Sequence, residues 1–257
     1  MATISSLQNE RVKHVVKLRE NRQRVKDGLM VVEGIYEIEM AIRSGLEPKE
    51  IYSCDEMSQG HPSNINLKDI TRVPKPVFEK ISIRQNPDGW LAVFPIKRQS
   101  LIDIKLSPIP FLLGAESLEK PGNLGAMFRT ADAAGVDGIL ICDLRADIYN
   151  PNVIRASRGT LFTVPAVETT NQAALQFLRK HMIYIVAATP KASILYTEVD
   201  LRKPVCLMMG TEDKGLTEFW MENSDMQVKI PMAGKVNSLN VSTSTAILLY
   251  EAVRQRS

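Results

Sequence analysis

Three stretches carry residue types that could do chemistry. The first is KIPMAGKVNSLNVSTSTAILLYE, residues 229–251. Pro231 to Val236 turn through a flexible Gly234, and Asn237 or Ser238 can N-cap the helix that follows. Free N–H groups at such a helix start, beside a glycine-containing loop, are suited to the polar groups of a ligand. A plain capped terminal helix accounts for the same residues. Against that, Ser242, Thr243, Ser244 and Thr245 are mediocre helix formers where a packing helix would carry Ala or Leu. The second stretch is MGTEDKGL, residues 209–216, in which Gly210 and Gly215 bracket Glu212 in a tight loop. The third is AESLEKPGNLGAMFRTADAAG, residues 115–135. Here Asn123 can cap a helix whose buried stripe is Leu124, Phe128 and Ala131, and Gly135 ends it. Arg129 lies off that stripe, where an arginine serves either as a surface ion-pair partner or as an anion clamp.

Other chemistries lack their residues. Gly122 and Gly125 do not make GxGxxG, and no acid follows a second strand in the dinucleotide-binding manner, which disfavours a nicotinamide cofactor. Cys54, Cys142 and Cys206 are isolated, and His14, His61 and His181 fit no metal-ligand spacing, so a reducing compartment and no metal are expected. The N-terminus has no apolar signal core and no apolar run is long enough to span a bilayer, which points to a cytoplasmic protein without membrane contact.

The elements that must hold these stretches can be read from periodicity. The chain has 257 residues, 44% hydrophobic and 24% charged, with a formal charge of +3. That is ample for one large domain or two small ones. From Phe111 onward, short wholly apolar strands (111–114, 138–142, 183–188, 205–209 and 226–230) alternate with helices at 124–134, 152–157, 172–181 and 216–223. This α/β alternation predicts a parallel sheet covered on both sides, with ligands beyond the carboxyl ends of its strands. In the last helix Leu239, Ala246, Leu249 and Val253 are spaced to face that sheet. Before it, residues 29–94 read as a smaller α/β module, and the proline-rich stretch 95–110 signals a boundary, giving domains 1–104 and 105–257. Residues 4–26 read as one amphipathic helix crowned by Arg11, Lys13, Lys17 and Arg19 among other cations, either a solvated face or an RNA contact.

Taken together, PGNLGAMFRTADAAG, GTEDKGL and IPMAGKVNSLNVSTSTAILLYE resemble, in order and spacing, the three signature motifs of the SpoU (TrmH) family of RNA ribose 2'-O-methyltransferases, part of the SPOUT superfamily. The connecting YNPNVIRASRGTLFTVP, residues 149–165, is also similar to the family's, while the first hundred residues resemble more loosely its ribosomal-protein-like RNA-binding module. Two departures bear on local packing and RNA selectivity: Arg158 stands where the family has a small residue, and Thr243 with Ser244 replaces Val-Ala.

The resemblance implies a SPOUT methyltransferase domain with a C-terminal trefoil knot, which no general rule would suggest because chains avoid knots. It implies S-adenosyl-L-methionine as cofactor, held by Gly210, Ile230 and Leu239 through backbone groups, with Thr189, Met209 and Met232 lining the pocket. It makes Arg129 the catalytic arginine, aided by Asn123, Glu212, Ser238 and Asn240. Arg11, Lys13, Lys17, Arg19 and Arg155 become candidate RNA contacts, and a homodimer is implied. The expected activity is 2'-O-methylation of RNA, with 23S ribosomal RNA as the substrate that the N-terminal module favours. The alternatives are tRNA as substrate, or a non-catalytic RNA-binding protein that keeps the fold.

Overall fold

The computed structural model describes every residue except Met1, Gln59, Asn64, residues 66–69, Arg145 and Ala146. In chain order the first elements are β1 (Ala2–Thr3), α1 (Glu10–Lys17), α2 (Asn21–Asp27), β2 (Leu29–Glu33), α3 (Ile35–Arg43), β3 (Glu50–Ser53), β4 (Ile70–Arg72), α4 (Lys75–Ile81) and β5 (Trp90–Pro95). Then come β6 (Phe111–Glu116), α5 (Pro121–Ala134), β7 (Gly138–Cys142), α6 (Pro151–Ser157), β8 (Ala166–Thr169), α7 (Asn171–Lys180) and β9 (Tyr184–Ala188). The chain finishes with β10 (Ile194–Leu195), β11 (Val205–Met209), α8 (Glu218–Asn223), β12 (Met226–Lys229) and α9 (Val241–Arg256).

Two compact units form. The first comprises Met1–Lys97 together with Asp147–Thr163. Its five-stranded mixed sheet runs β1-β4-β3-β5-β2, with the first three strands parallel to one another and the β3–β5 and β5–β2 pairs antiparallel. Val12, Val15 and Leu18 pack with Tyr52, Phe78, Ile81 and Leu91 to make its core. The 147–163 segment is tied in by a buried ion pair between Arg24 and Asp147 at 2.6 Å and by the Tyr149 hydroxyl donating to the Lys97 carbonyl at 3.0 Å. Arg24 is thus a core residue, held also by the Leu18 and Arg19 carbonyls, and not part of a basic surface.

Residues 4–26 form two helices where the apolar spacing predicted one. Asn9 caps α1 through its side chain, the helix stops at Leu18, and α2 starts after Glu20. Leu18 and Val15 are buried against the sheet, so a continuous helix would have to break that anchorage to keep its cations outward.

The second unit comprises Arg98–Ala146 and Val164–Ser257. Its seven strands lie in the order β10-β12-β9-β11-β6-β7-β8, all parallel. Every residue of β6, β7 and β11 is buried, as strands covered on both faces require. Leu112, Leu140, Ile185, Cys206, Met208 and Trp220 form the core. The short strands β1, β8 and β10 are not read from the sequence: Ala2–Thr3 and Ile194–Leu195 have two residues each, and Ala166–Thr169 ends in Glu168 and Thr169, so none is a wholly apolar run of strand length.

Two helix starts differ from the sequence reading. α9 begins at Val241 with Asn240 as N-cap, not Asn237 or Ser238. The delayed start moves the buried stripe to Val241, Thr245, Leu248, Leu249 and Ala252, leaving Leu239 exposed and Ala246 and Val253 only half-buried. α5 begins at Pro121 with Lys120 at the cap position, because proline is preorganised for the first helical turn. Asn123 therefore lies inside that turn, and its side chain is free for another partner.

Candidate active site

Parallel strands deliver their carboxyl ends to one edge of the sheet, and the loops leaving β9, β11 and β12 meet there. They enclose an open cleft of ≈ 820 Å³. Thr189, Met209, Gly210, Ile230, Met232 and Leu239, the six residues named from the sequence for cofactor binding, all line it, as does Ser238. The loop after β11 is held shut by a pair of backbone bonds, Thr211 N–H to the Gly215 carbonyl and Gly215 N–H to the Thr211 carbonyl, both 3.0 Å. Gly210 is demanded by that closure, since a Cβ there would lie 2.1 Å from the Gly215 carbonyl carbon and the Leu216 nitrogen.

A second, smaller cavity of ≈ 130 Å³ adjoins, lined by Glu116, Lys120, Asn123, Glu212 and Thr217 among others. Glu212 lines both. One of its oxygens takes an ion pair from Lys120 Nζ at 2.5 Å, and this hydrogen bond raises the Lys120 pKa above its ordinary value. Its other oxygen, Oε1, is buried and accepts no hydrogen bond among the described residues. Such an orphaned carboxylate oxygen is costly unless a donor or cation arrives to meet it.

The first and third motifs touch through their asparagines. Asn240 Nδ2 donates to Asn123 Oδ1 at 3.2 Å, while Asn240 Oδ1 caps α9 by accepting from Ser242 N–H at 2.9 Å. The structure therefore brings Asn123, Glu212 and Asn240 to one place and puts Ser238 on the neighbouring cleft. Arg129 is exposed on α5, lines neither cavity, and pairs with no side chain among the described residues.

One supporting network has no counterpart in the sequence reading. Glu116, 1% exposed at the end of β6, accepts from Asn171 Nδ2 (2.7 Å), Thr217 N–H (2.8 Å) and Thr217 Oγ1 (2.7 Å). Asn171 in turn accepts from the Trp220 indole at 2.6 Å. This pins the far end of the 211–217 loop to the sheet. The available signal was an acid closing an otherwise apolar strand, FLLGAE, which must be paired if buried.

Of the candidate RNA contacts, Lys17 and Arg155 are exposed. Lys13 pairs with Glu10 at 2.9 Å. Arg11 is engaged by Glu50 at 3.3 Å and Thr71, and Arg19 donates to the carbonyls of Lys80 and Ser82. Among the described residues no cluster of side chains could hold a metal, and no helix is long and apolar enough to cross a membrane.

The chain is similar to known proteins over nearly its whole length. Residues 110–250 match the SpoU rRNA Methylase family, and residues 9–92 match the MRM3-like substrate binding domain. The chain is 28% identical to the 23S rRNA (guanosine(2553)-2'-O)-methyltransferase RlmP of Bacillus subtilis (strain 168), over 97% of this chain and 98% of that protein. A crystal structure of an RNA 2'-O ribose methyltransferase superposes with a TM-score of 0.86 at 37% identity, covering 99% of each chain. The AdoMet-bound rRNA methyltransferase from Sinorhizobium meliloti gives a TM-score of 0.87 at 27% identity, covering 98% of this chain and 97% of that one. The parallel seven-stranded sheet, the motif loops gathered at its carboxyl edge and a family match spanning 110–250 together establish that this chain belongs to the SpoU rRNA Methylase family.

Proposed function

We propose that this protein transfers a methyl group from S-adenosyl-L-methionine to a ribose 2'-hydroxyl of RNA, in the 23S ribosomal RNA of its cell's cytoplasm. The observation that carries the reading is the convergence of Glu212, Asn123 and Asn240 beside a ≈ 820 Å³ cleft built from the second and third motif loops. The cleft's size suits a nucleoside-sized ligand. Apolar side chains such as Met209, Ile230 and Leu239 suit an adenosine, with the charged residues Lys191, Glu212, Asp213, Lys214 and Glu218 also on the lining. The orphaned Glu212 oxygen suits a ligand that brings positive charge. S-adenosylmethionine, once bound, supplies an electrophilic methyl on a cationic sulfur.

The remaining work belongs to this chain. A ribose hydroxyl must be aligned with the methyl, and the alkoxide stabilised as it develops. Asn123 and Asn240, hydrogen-bonded to each other, orient the hydroxyl in this reading, and Ser238 on the cleft wall assists. Arginine is a poor base because it stays protonated, so Arg129 acts as a two-pronged clamp on the phosphate next to the target ribose. The proton then leaves to that phosphate or to water. Because Arg129 lines neither cavity of its own chain, we assign a homodimer in which a second copy completes the site. Residues 1–104, with the 147–163 segment that packs among them, present the RNA, and the rest of 105–257 carries the chemistry along the knotted path of the family.

Calorimetry with S-adenosylmethionine, followed by transfer of labelled methyl to purified 23S rRNA and to bulk tRNA, tests this. Binding with transfer to 23S rRNA and mapping to a 2'-oxygen is the expected result. Transfer to tRNA alone changes the substrate, binding without transfer to any RNA leaves an RNA-binding protein, and no binding removes the cofactor.

A further inference from the structure

Within the first unit, the segment that ends α6 is built against α3. Arg158, at the end of α6, has φ 52° and ψ 37°, the left-handed conformation that glycine adopts freely and a residue with a side chain does not. The turn around it is closely hydrogen-bonded. Ser157 Oγ donates to the Ile154 carbonyl at 2.8 Å and accepts from Gly159 N–H at 3.2 Å, and Thr160 Oγ1 donates to the Ser157 carbonyl at 2.8 Å. Gly159, φ 81°, lies so close to α3 that a Cβ there would stand 2.8 Å from Met40 Cβ. The strained, hydrogen-bonded turn carries the Arg158 guanidinium over the ring of Tyr36, 5.1 Å from its centroid.

Tyr36 is nevertheless 45% exposed, one of the large exposed side chains of the protein, and Arg155 is exposed one turn before Arg158 on the same helix. A local helix stop does not require an arginine: it is the position where glycine serves best. What sets this turn apart is that its left-handed residue carries a cation to an open aromatic ring. Its chemistry is an aromatic ring with a planar cation over one face, each with an outer side left for a base, and a further positive charge adjacent. That is what takes up an unpaired nucleobase with its phosphates, since bases stack on tyrosine and on guanidinium planes alike.

We propose that Tyr36 and Arg158 form a stacking platform for an unpaired base of the substrate RNA, with Arg155 on the neighbouring phosphate. This rests on the reading of the protein as an RNA methyltransferase and assigns the part of the RNA it recognises: a loop or bulge, not a continuous duplex.

The test uses the full-length protein, a fluorescent RNA hairpin with an unpaired purine-rich loop, and a blunt duplex of equal length, titrated across salt concentrations. Tyr36→Ala and Arg158→Gly should each weaken hairpin binding about tenfold and leave duplex binding within about twofold. Tyr36→Phe should keep the wild-type affinity. Arg158→Gly should leave the salt slope nearly unchanged, because Arg155 and not Arg158 takes the phosphate, and should melt at or above the wild-type temperature, because glycine relieves the left-handed strain. S-adenosylmethionine affinity, measured on the same samples, should be unchanged. Wild-type hairpin affinity in both variants overturns the proposal, and so does an equal loss on hairpin and duplex, which would make the pair a phosphate contact only. Failure of the wild-type protein to methylate any RNA would defeat the functional reading, while the hairpin-versus-duplex comparison still decides the platform.

Discussion

Asn240 reaches across 117 residues of chain to donate to Asn123, and the same side chain caps the last helix through its other atom. One residue therefore joins the first and third motifs and fixes where α9 begins.

Replacing it separates the two duties. Asn240→Asp keeps an oxygen for the Ser242 N–H but has no amide to donate to Asn123. It should melt within about 1 kcal/mol of wild type while methyl transfer falls by about tenfold or more. Asn240→Ala should lose both, with an added stability cost of about 1 kcal/mol from the missing cap. Thermal melts beside single-turnover transfer check this; equal rates in wild type and Asn240→Asp would show that the contact only orders the loop.

Arg129 is exposed and off the buried face of α5, where Leu124, Met127, Phe128 and Ala131 lie. Arg129→Ala should change stability by less than about 1 kcal/mol. Transfer should drop about a hundredfold, the usual scale for removing a group that stabilises a developing oxyanion. Arg129→Lys should rescue poorly, because one ammonium cannot reproduce the planar fork. A variant that melts and methylates normally would end the catalytic assignment.

Gly210 cannot accept even a methyl group without moving the Gly215–Leu216 backbone, 2.1 Å away. Gly210→Ala should open the Thr211–Gly215 closure and weaken S-adenosylmethionine by about tenfold or more, with a stability loss of about 1–3 kcal/mol from overpacking. Calorimetry and melting on one preparation measure both. Full affinity would remove this loop from the cofactor site.

Glu116 holds the other end of that loop. Glu116→Gln preserves shape but puts an amide N–H₂ where an acceptor is needed for Asn171 or Thr217, at a cost of about 1–3 kcal/mol for the broken buried bonds. The cofactor affinity should fall while RNA affinity, measured separately on the hairpin, stays within about twofold. Unchanged melting and cofactor affinity would show that the network tolerates a neutral member.

The sequence alone determined what depends on local pattern. Wholly apolar five-residue runs such as Val205–Met209 have no choice but to be buried on both faces, so the parallel sheet was legible, and with it the edge where chemistry must lie. The helix stop at Gly135 was equally local. Tertiary structure decided what depends on a partner far along the chain. Any of Asn237, Ser238 or Asn240 could cap α9, and the tie to Asn123 accompanies the choice of the third. Arg24 reads as one more surface cation until Asp147, 123 residues later, takes it into the core. Glu116 reads as the end of a strand until Asn171 and Thr217 close on it. The reason is physical: turns and periodicity are set by neighbours within one or two turns, whereas the choice among cap candidates and the role of a polar side chain are set by whichever group the fold brings in place of water.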